Sequence, residues 1–395
     1  MKIAYLGPFI TARLRPFISS LTESDCKKSP GMGGYGLIEL VEERLRTKQE
    51  TTVITLDTNL EDESIIRKGD YISLYCLPKR KSKSLRDLFS LERKLINEAL
   101  EEAKPDLIHT HWTTEYSLAV LKLKIPTIIT AHDHPADIFK YIGIKYLPFY
   151  LLSNNIIKNA KFITAVSPYV LDYIKKKRNY AYALIPNLLP QELFDYSKKQ
   201  IKNYDYKKAI ITAVLDWNNL KNPKNAILGF NLILEKYPDA QLHLFGAGMG
   251  NDEQCEQWCI ENGKEENIIF RGKVKNEYLR NHLEITSILL HTSRTEACSM
   301  IIAESMALGL PIIGGDCSGG VPWQLDNGNA GVLIDINDPN EIAKAIYKLL
   351  SNKFLRQEIG TAAKIHAKKL FDPEIIIQKW EVLYTKTTKE FYESK

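Results

Sequence analysis

Short runs of consecutive aliphatic and β-branched residues recur along this chain, each bounded by polar or glycine-containing stretches. Between them lie longer segments whose apolar positions return every three or four residues. Runs without alternation fit strands buried on both faces, and the longer period fits amphipathic helices packed over them. In the first half the runs predict strands at 2–7, 51–57, 71–77, 106–110, 127–131 and 162–166, with helices at 36–47, 85–103 and 168–178. The same grammar restarts with strands at 208–214, 241–245, 268–271, 287–291, 311–314 and 331–335 and helices at 223–237, 252–262, 299–308 and 340–351. Such alternation predicts an α/β protein of two doubly wound parallel sheets. Ile185–Pro190 carries two prolines and leads into a polar, lysine-rich stretch to Lys207, which reads as the linker. The expected domains are therefore 1–190 and 191–370. From Phe371 onward, apolar residues at helical spacing follow a proline and predict a final helix, 371–395.

A length of 395 residues suits two domains, and 44% hydrophobic with 26% charged residues is a globular balance. No apolar run approaches the ~20 residues of a membrane span. The opening MKIAYLGPF reads as a strand rather than a secretory leader, so a cytoplasmic location is expected. A net charge of +5 falls short of the clustered basicity of a nucleic-acid binder. The six cysteines follow no disulfide or metal-ligand spacing.

Ligands of doubly wound sheets bind outside the carboxyl ends of the strands, so the chemistry is sought on the loops there. The stretch from His291 to Pro311 places Glu296 on a polar loop between a strand and a helix that starts near Ser299, a residue suited to N-capping. Amides at that helix start, at Cys298, Ser299 and Met300, suit a diphosphate. Glu304, further along the helix, can accept bonds from both hydroxyls of a ribose, and Glu296 reaches what lies beyond the phosphates. In the first half, a turn containing Gly31, Gly33, Gly34 and Gly36 opens a helix and lets backbone approach a phosphate or sugar. His111 and His132, followed by Trp112 and Asp133, stand at two strand ends.

Glu296 and Glu304, with seven residues between them and Ser-Met-Ala-Leu-Gly-Leu-Pro behind, resemble the Glu-x7-Glu signature of glycosyltransferase family 4. Further similarity runs over nearly the whole chain, through Gly33-Gly34, Asp106 to Trp112, His132, Lys221-Asn222, Phe245-Gly246 and Arg271-Gly272. The resemblance implies a GT-B fold, two Rossmann-like domains facing across a cleft, with the final helix crossing back to the first. It implies retaining transfer of a hexosyl group from a nucleotide-diphosphate sugar to a glycan or lipid-linked acceptor, as in bacterial surface polysaccharide or glycoconjugate synthesis. Carried over by position, His132 and Glu296 are the catalytic pair and Glu304 holds the ribose. Lys221 neutralises the donor phosphates, alone or helped by Lys224 or Arg294. Gly33, Gly34, Gly246, Cys298, Ser299 and Met300 line the donor, and His111 and Asp133 are further possible members. Three departures stand out: Ala297-Cys298-Ser299 where glycines are usual, Asp216 in place of Arg, and Trp323 in place of Glu. With no Asp-x-Asp pair at a strand end, helix dipole and lysine are expected to replace a metal, and no cofactor is expected. A sugar-nucleotide epimerase and a catalytically silent partner subunit stay open as alternatives. The basic stretch 79–86 and the apolar, aromatic stretch 141–152 suit peripheral contact with the inner face of a membrane.

Overall fold

A computed structural model describes residues 1–31, 33–178, 182–199 and 208–393. The chain divides into two compact units. The first comprises Met1–Phe139, Gly143–Leu188 and Pro373–Lys395, and the second Lys140–Ile142 and Leu189–Asp372.

The first unit is built on eight strands: β1 (Ile3–Leu6), β2 (Thr51–Asp57), β3 (Ile65–Lys68), β4 (Ile72–Pro78), β5 (Leu107–His111), β6 (Thr127–Ala131), β7 (Phe162–Ala165) and β8 (Ala183–Leu184). Their order is β3-β4-β2-β1-β5-β6-β7-β8, parallel throughout except for β3 against β4. The winding reverses between β1 and β5, which pair from Ile3↔Leu107 to Leu6↔Thr110. A crevice opens where strand order reverses, and β5 delivers His111 to it. The helix Pro373–Glu393 completes this unit's core, adding Ile376, Trp380, Leu383 and Tyr384 to the buried cluster that holds Ile3, Tyr5, Leu37 and Val41. Arg44, only 1% exposed, lies over the rings of Tyr5 and Tyr384 and donates to Glu381.

The second unit has six parallel strands: β9 (Ile210–Val214), β10 (Gln241–Phe245), β11 (Ile268–Gly272), β12 (Ile288–His291), β13 (Ile312–Gly315) and β14 (Val332–Ile334). Their order is β11-β10-β9-β12-β13-β14, with the reversal between β9 and β12. Lys221 follows β9 and Glu296 follows β12, so both stand at that switch point.

Several elements differ from their sequence expectation. The stretch read as a helix over 85–103 is a 3-10 turn, Ser84–Asp87, and a helix, Ser90–Ala103. They are separated because Leu88 and Phe89 take positive φ while Asp87 caps Ser90. The helix expected over 223–237 ends at Asn231. Part of the expected linker is the helix Gln191–Lys199, whose Leu193 and Phe194 are buried; residues 200–207 of it lie outside the described residues. Lys353–Phe371 forms a helix that the strand-helix grammar passed over, as it did the edge strand β3.

Candidate functional site

In the first unit, His111 ends β5 and His132 follows β6, so the parallel pairing of these strands brings the two imidazoles together. His111 Nδ1 and His132 Nε2 are 2.8 Å apart. The indole of Trp112 stacks on His132 at 4.3 Å between centroids. Trp112 takes φ 65°, a conformation that turns the chain sharply just past the strand end. Burial holds His111 well below the usual imidazole range and pushes His132 down to about 3. Both rings are neutral at physiological pH.

The glycine turn is held by Asp57, which accepts from Gly31 N at 2.9 Å. Gly34 takes φ +75°, and a Cβ there would lie 2.0 Å from the Pro8 carbonyl, so packing of the chain demands glycine at that position. Gly33 also has positive φ but faces open space, and it is the one of the pair left with room for a ligand. Gly36 leaves space filled by the side chain of Asn187.

In the second unit the loop after β12 is stitched to the loop after β9. Thr292 Oγ1 donates to Asn222 O at 3.0 Å, and Arg294 N donates to Leu220 O at 2.8 Å. This places Lys221 Nζ 2.5 Å from Glu296 Oε1, with His291 Nε2 3.3 Å from the same oxygen. Burial would raise the Glu296 carboxyl, but Lys221 and His291 outweigh it and hold the group well below the usual carboxylate range. Glu296 is therefore a half-buried anion fixed by one cation.

Glu304, on the helix Met300–Ala307, is 7% exposed, and burial raises its pKa while Arg280 pulls it back. Arg280 donates to Glu304 Oε1 from Nη2 at 2.9 Å and Nε at 3.3 Å, leaving Oε2 without a described bond. Arg280 was missed in the sequence, because it lies on a different helix, Asn276–Ile285, and nothing in local spacing ties it to Glu304.

Other expected members are placed differently. Ser299 occupies the N-cap position, but its side chain makes no capping bond. Instead Gln324 brackets it, accepting from Ser299 N at 2.7 Å and donating to Ser299 O at 3.0 Å. Its amide is thereby used, and an anion at this helix start would meet the amides of Met300 and Ile301, which the helix leaves unbonded. Lys224 lies over the rings of Trp217 and Trp258, at 5.6 and 5.2 Å. Arg294 is engaged by Asn219 and Asn337. Neither joins the Lys221–Glu296 pair. Cys298 and Asp133 are each partly exposed.

Two of the three departures are structural. Asp216 accepts from Ala247 N at 2.9 Å and pins the turn at Gly246, whose φ of +134° and contact with the Leu215 carbonyl require glycine. Trp323 packs edge-on against Phe371 at 6.4 Å between centroids. The loop at Ala297 is held by Gly320, whose N donates to Glu296 O at 2.7 Å and whose missing side chain leaves room for the Ala297 carbonyl. In the 79–86 stretch, Lys79 pairs with Glu115 at 2.6 Å, and Arg80 with Asp87 and the buried Glu92 at 2.7 and 2.6 Å. Two of its five basic residues therefore staple the fold, and Lys81, Lys83 and Arg86 are exposed. Among the described residues, no helix is long and apolar enough to cross a membrane. Among them, too, no cluster of three or more His, Cys, Asp or Glu side chains could hold a metal.

Two family models match the chain, Glycosyltransferase Family 4 over residues 34–190 and Glycosyl transferases group 1 over residues 195–366. Among curated proteins, it is 23% identical to N-acetyl-alpha-D-glucosaminyl L-malate synthase of Bacillus anthracis, over 73% of this chain and 76% of that one. It is 22% identical to alpha-monoglucosyldiacylglycerol synthase of Acholeplasma laidlawii, over 96% of each. Among solved structures, sucrose-phosphate synthase from Thermosynechococcus elongatus superposes with a TM-score of 0.77 at 17% identity, covering 100% of both chains. Anabaena HepE in complex with UDP-glucose superposes at 0.70 with 18% identity, covering 98% of this chain and 100% of that one.

Proposed function

This chain belongs to the family 4 glycosyltransferases and has their GT-B fold, and we propose that it moves a hexosyl group from a nucleoside-diphosphate sugar to a glycan or lipid-linked acceptor, with retained configuration and no metal. The observation that carries this reading is the Lys221–Glu296 pair at the switch point of the second sheet, with Glu304 one helix turn and more beyond. Breaking the sugar C1–O bond leaves its electron pair on the diphosphate. Stabilising that developing charge is the main catalytic task. Lys221 and the first-turn amides of Met300 and Ile301 are the groups for it, and Glu304 Oε2 is the acceptor for the ribose hydroxyls. The acceptor oxygen then bonds to C1, and its proton passes to the departing phosphate. The second unit thus carries the donor, and the first carries His132 and the acceptor side. Exposed Ile144 and Leu151 of the first unit, with Lys81, Lys83 and Arg86, support an acceptor presented at an anionic lipid surface.

The test is product analysis after incubation with nucleoside-diphosphate sugars, uridine donors first, with and without EDTA, and with acceptors offered both free and in anionic vesicles. A new α- or β-linked glycoside matching the donor's anomer, formed equally in EDTA, is the expected result. An epimerised donor, or no turnover with any donor, would replace the reading. Loss of activity in EDTA that magnesium restores would overturn its metal-free part.

Glu304→Gln is expected to weaken donor binding by ~1.5–3 kcal/mol, the scale of hydrogen bonds to a charged group. The amide accepts from fewer hydroxyls and leaves the Arg280 cation uncompensated. Calorimetry with the nucleoside diphosphate alone measures this, and unchanged affinity would remove Glu304 from the ribose site.

A further inference from the structure

Beneath the His111–His132 contact lies a chain of buried hydrogen bonds whose direction can be read. Tyr5 OH and Tyr384 OH are 3.0 Å apart, Tyr384 OH is 2.9 Å from His109 Nδ1, and His109 Nε2 is 2.7 Å from Thr130 Oγ1. Thr130 Oγ1 is then 2.8 Å from Thr164 Oγ1, which reaches the Ile129 carbonyl at 3.5 Å. Only one direction gives every hydroxyl an acceptor: Tyr5 to Tyr384 to His109 Nδ1, and His109 Nε2–H through Thr130 and Thr164 to the carbonyl. His109 is thus locked as a neutral Nε2–H ring, and it packs on His111 at 4.2 Å between centroids.

His111 is 3% exposed, and its Nε2 is buried without a partner. The ring lines a cavity of ≈ 10 Å³ with His132, Thr130 and Asn187. If His132 were the donor in the pair, the His111 proton would lie on Nε2, a buried N–H with no protein acceptor in reach. Orphaned buried N–H groups are rarer than under-used acceptors, so the proton belongs on Nδ1. We propose that His111 is a positioning residue that holds His132 in one neutral tautomer: its Nδ1–H donates to His132 Nε2, so that His132 carries its own proton on Nδ1 and offers substrate a donor, not a base. This rests on the reading of His132 as a catalytic group of the proposed transfer. It assigns His132 to hydrogen bonding with a sugar hydroxyl and leaves the acceptor's proton to the departing phosphate.

Nitrogen-15 NMR of the histidine-labelled full chain, with the His132 signals assigned by their loss in His132→Ala, tests the tautomer directly. The Nδ1–H pattern is expected in the wild type. His111→Phe should convert it to a mixture, and His111→Asn, whose amide nitrogen overlays Nδ1 and donates, should preserve it. An Nε2–H pattern in the wild type, or an unchanged pattern in His111→Phe, overturns the proposal. Turnover should fall about tenfold or more in His111→Phe, since a wrongly protonated imidazole presents a lone pair where N–H is required. It should return to within about threefold in His111→Asn, with the donor KM unmoved. If the tautomer changes as expected and turnover does not, the positioning stands and the placement of His132 at the sugar falls.

Discussion

A chain ending at Asp372 is expected to lose the cooperative melting of its first unit. The helix Pro373–Glu393 buries Ile376, Trp380, Leu383 and Tyr384 in that unit's core. Each such side chain contributes about 1.5–3 kcal/mol, so the four together match the whole 5–15 kcal/mol that holds a typical domain folded. Removal also takes Glu381 and the Tyr384 ring from Arg44, uncovering a guanidinium that the full chain keeps buried and paired. Calorimetric scans should show the first unit's transition absent in the truncated chain. Tyr384→Phe, which keeps the packing and removes the bonds to Tyr5 and His109, should cost only about 1–3 kcal/mol. A truncated chain melting at the wild-type temperature would mean the helix adds nothing to the core.

The largest catalytic effect is expected from Lys221→Met. Lys221 is the only described cation bonded to Glu296, and the proposed donor phosphate needs the same charge. Losing one preorganised group that stabilises a leaving anion lowers kcat by about 100- to 1000-fold. The pH dependence should change with it. In the wild type, Glu296 titrates below its ordinary value, so its pair contributes stability that is present above that value and lost as pH falls through the depressed one. Without Lys221, burial is opposed by His291 alone and the carboxyl titrates higher, so an acid limb should enter the kcat/KM profile at higher pH. Wild-type kcat/KM within threefold, with an unshifted acid limb, would exclude both roles for Lys221.

How far these features could be read in advance depended on whether their cause was local. Buried parallel strands such as Thr51–Asp57 and Ile288–His291 are uninterrupted apolar runs, visible without any partner. Glu296 and Glu304 share one loop and helix, so their spacing is legible too. Arg280 stands 24 residues from Glu304, and only the folding of two helices joins them. Gln324 likewise reaches Ser299 across the chain and replaces the cap that local chemistry suggested. Asp216 stands where the resemblance expects Arg, and its acceptor role at Ala247 depends on a turn 31 residues away. The Lys353–Phe371 helix went unread because its apolar residues, Leu355, Ile359, Ala363 and Ala367, are sparse among lysines and polar groups.

The first unit is closed by a segment that lies beyond all of the second. Ribosomes release about 5–20 residues per second, so during synthesis the strands up to Leu184 must wait while the chain from Leu189 to Asp372 is made. The second unit is contiguous apart from three residues and can fold as it emerges. The first meets its missing helix only afterwards, with its core apolar residues and Arg44 uncovered in the interval. The half made first is therefore the half whose core is completed last. A slowed or stalled translation past Asp372 would expose the first-made half to chaperones and proteases, while the half made later stands finished.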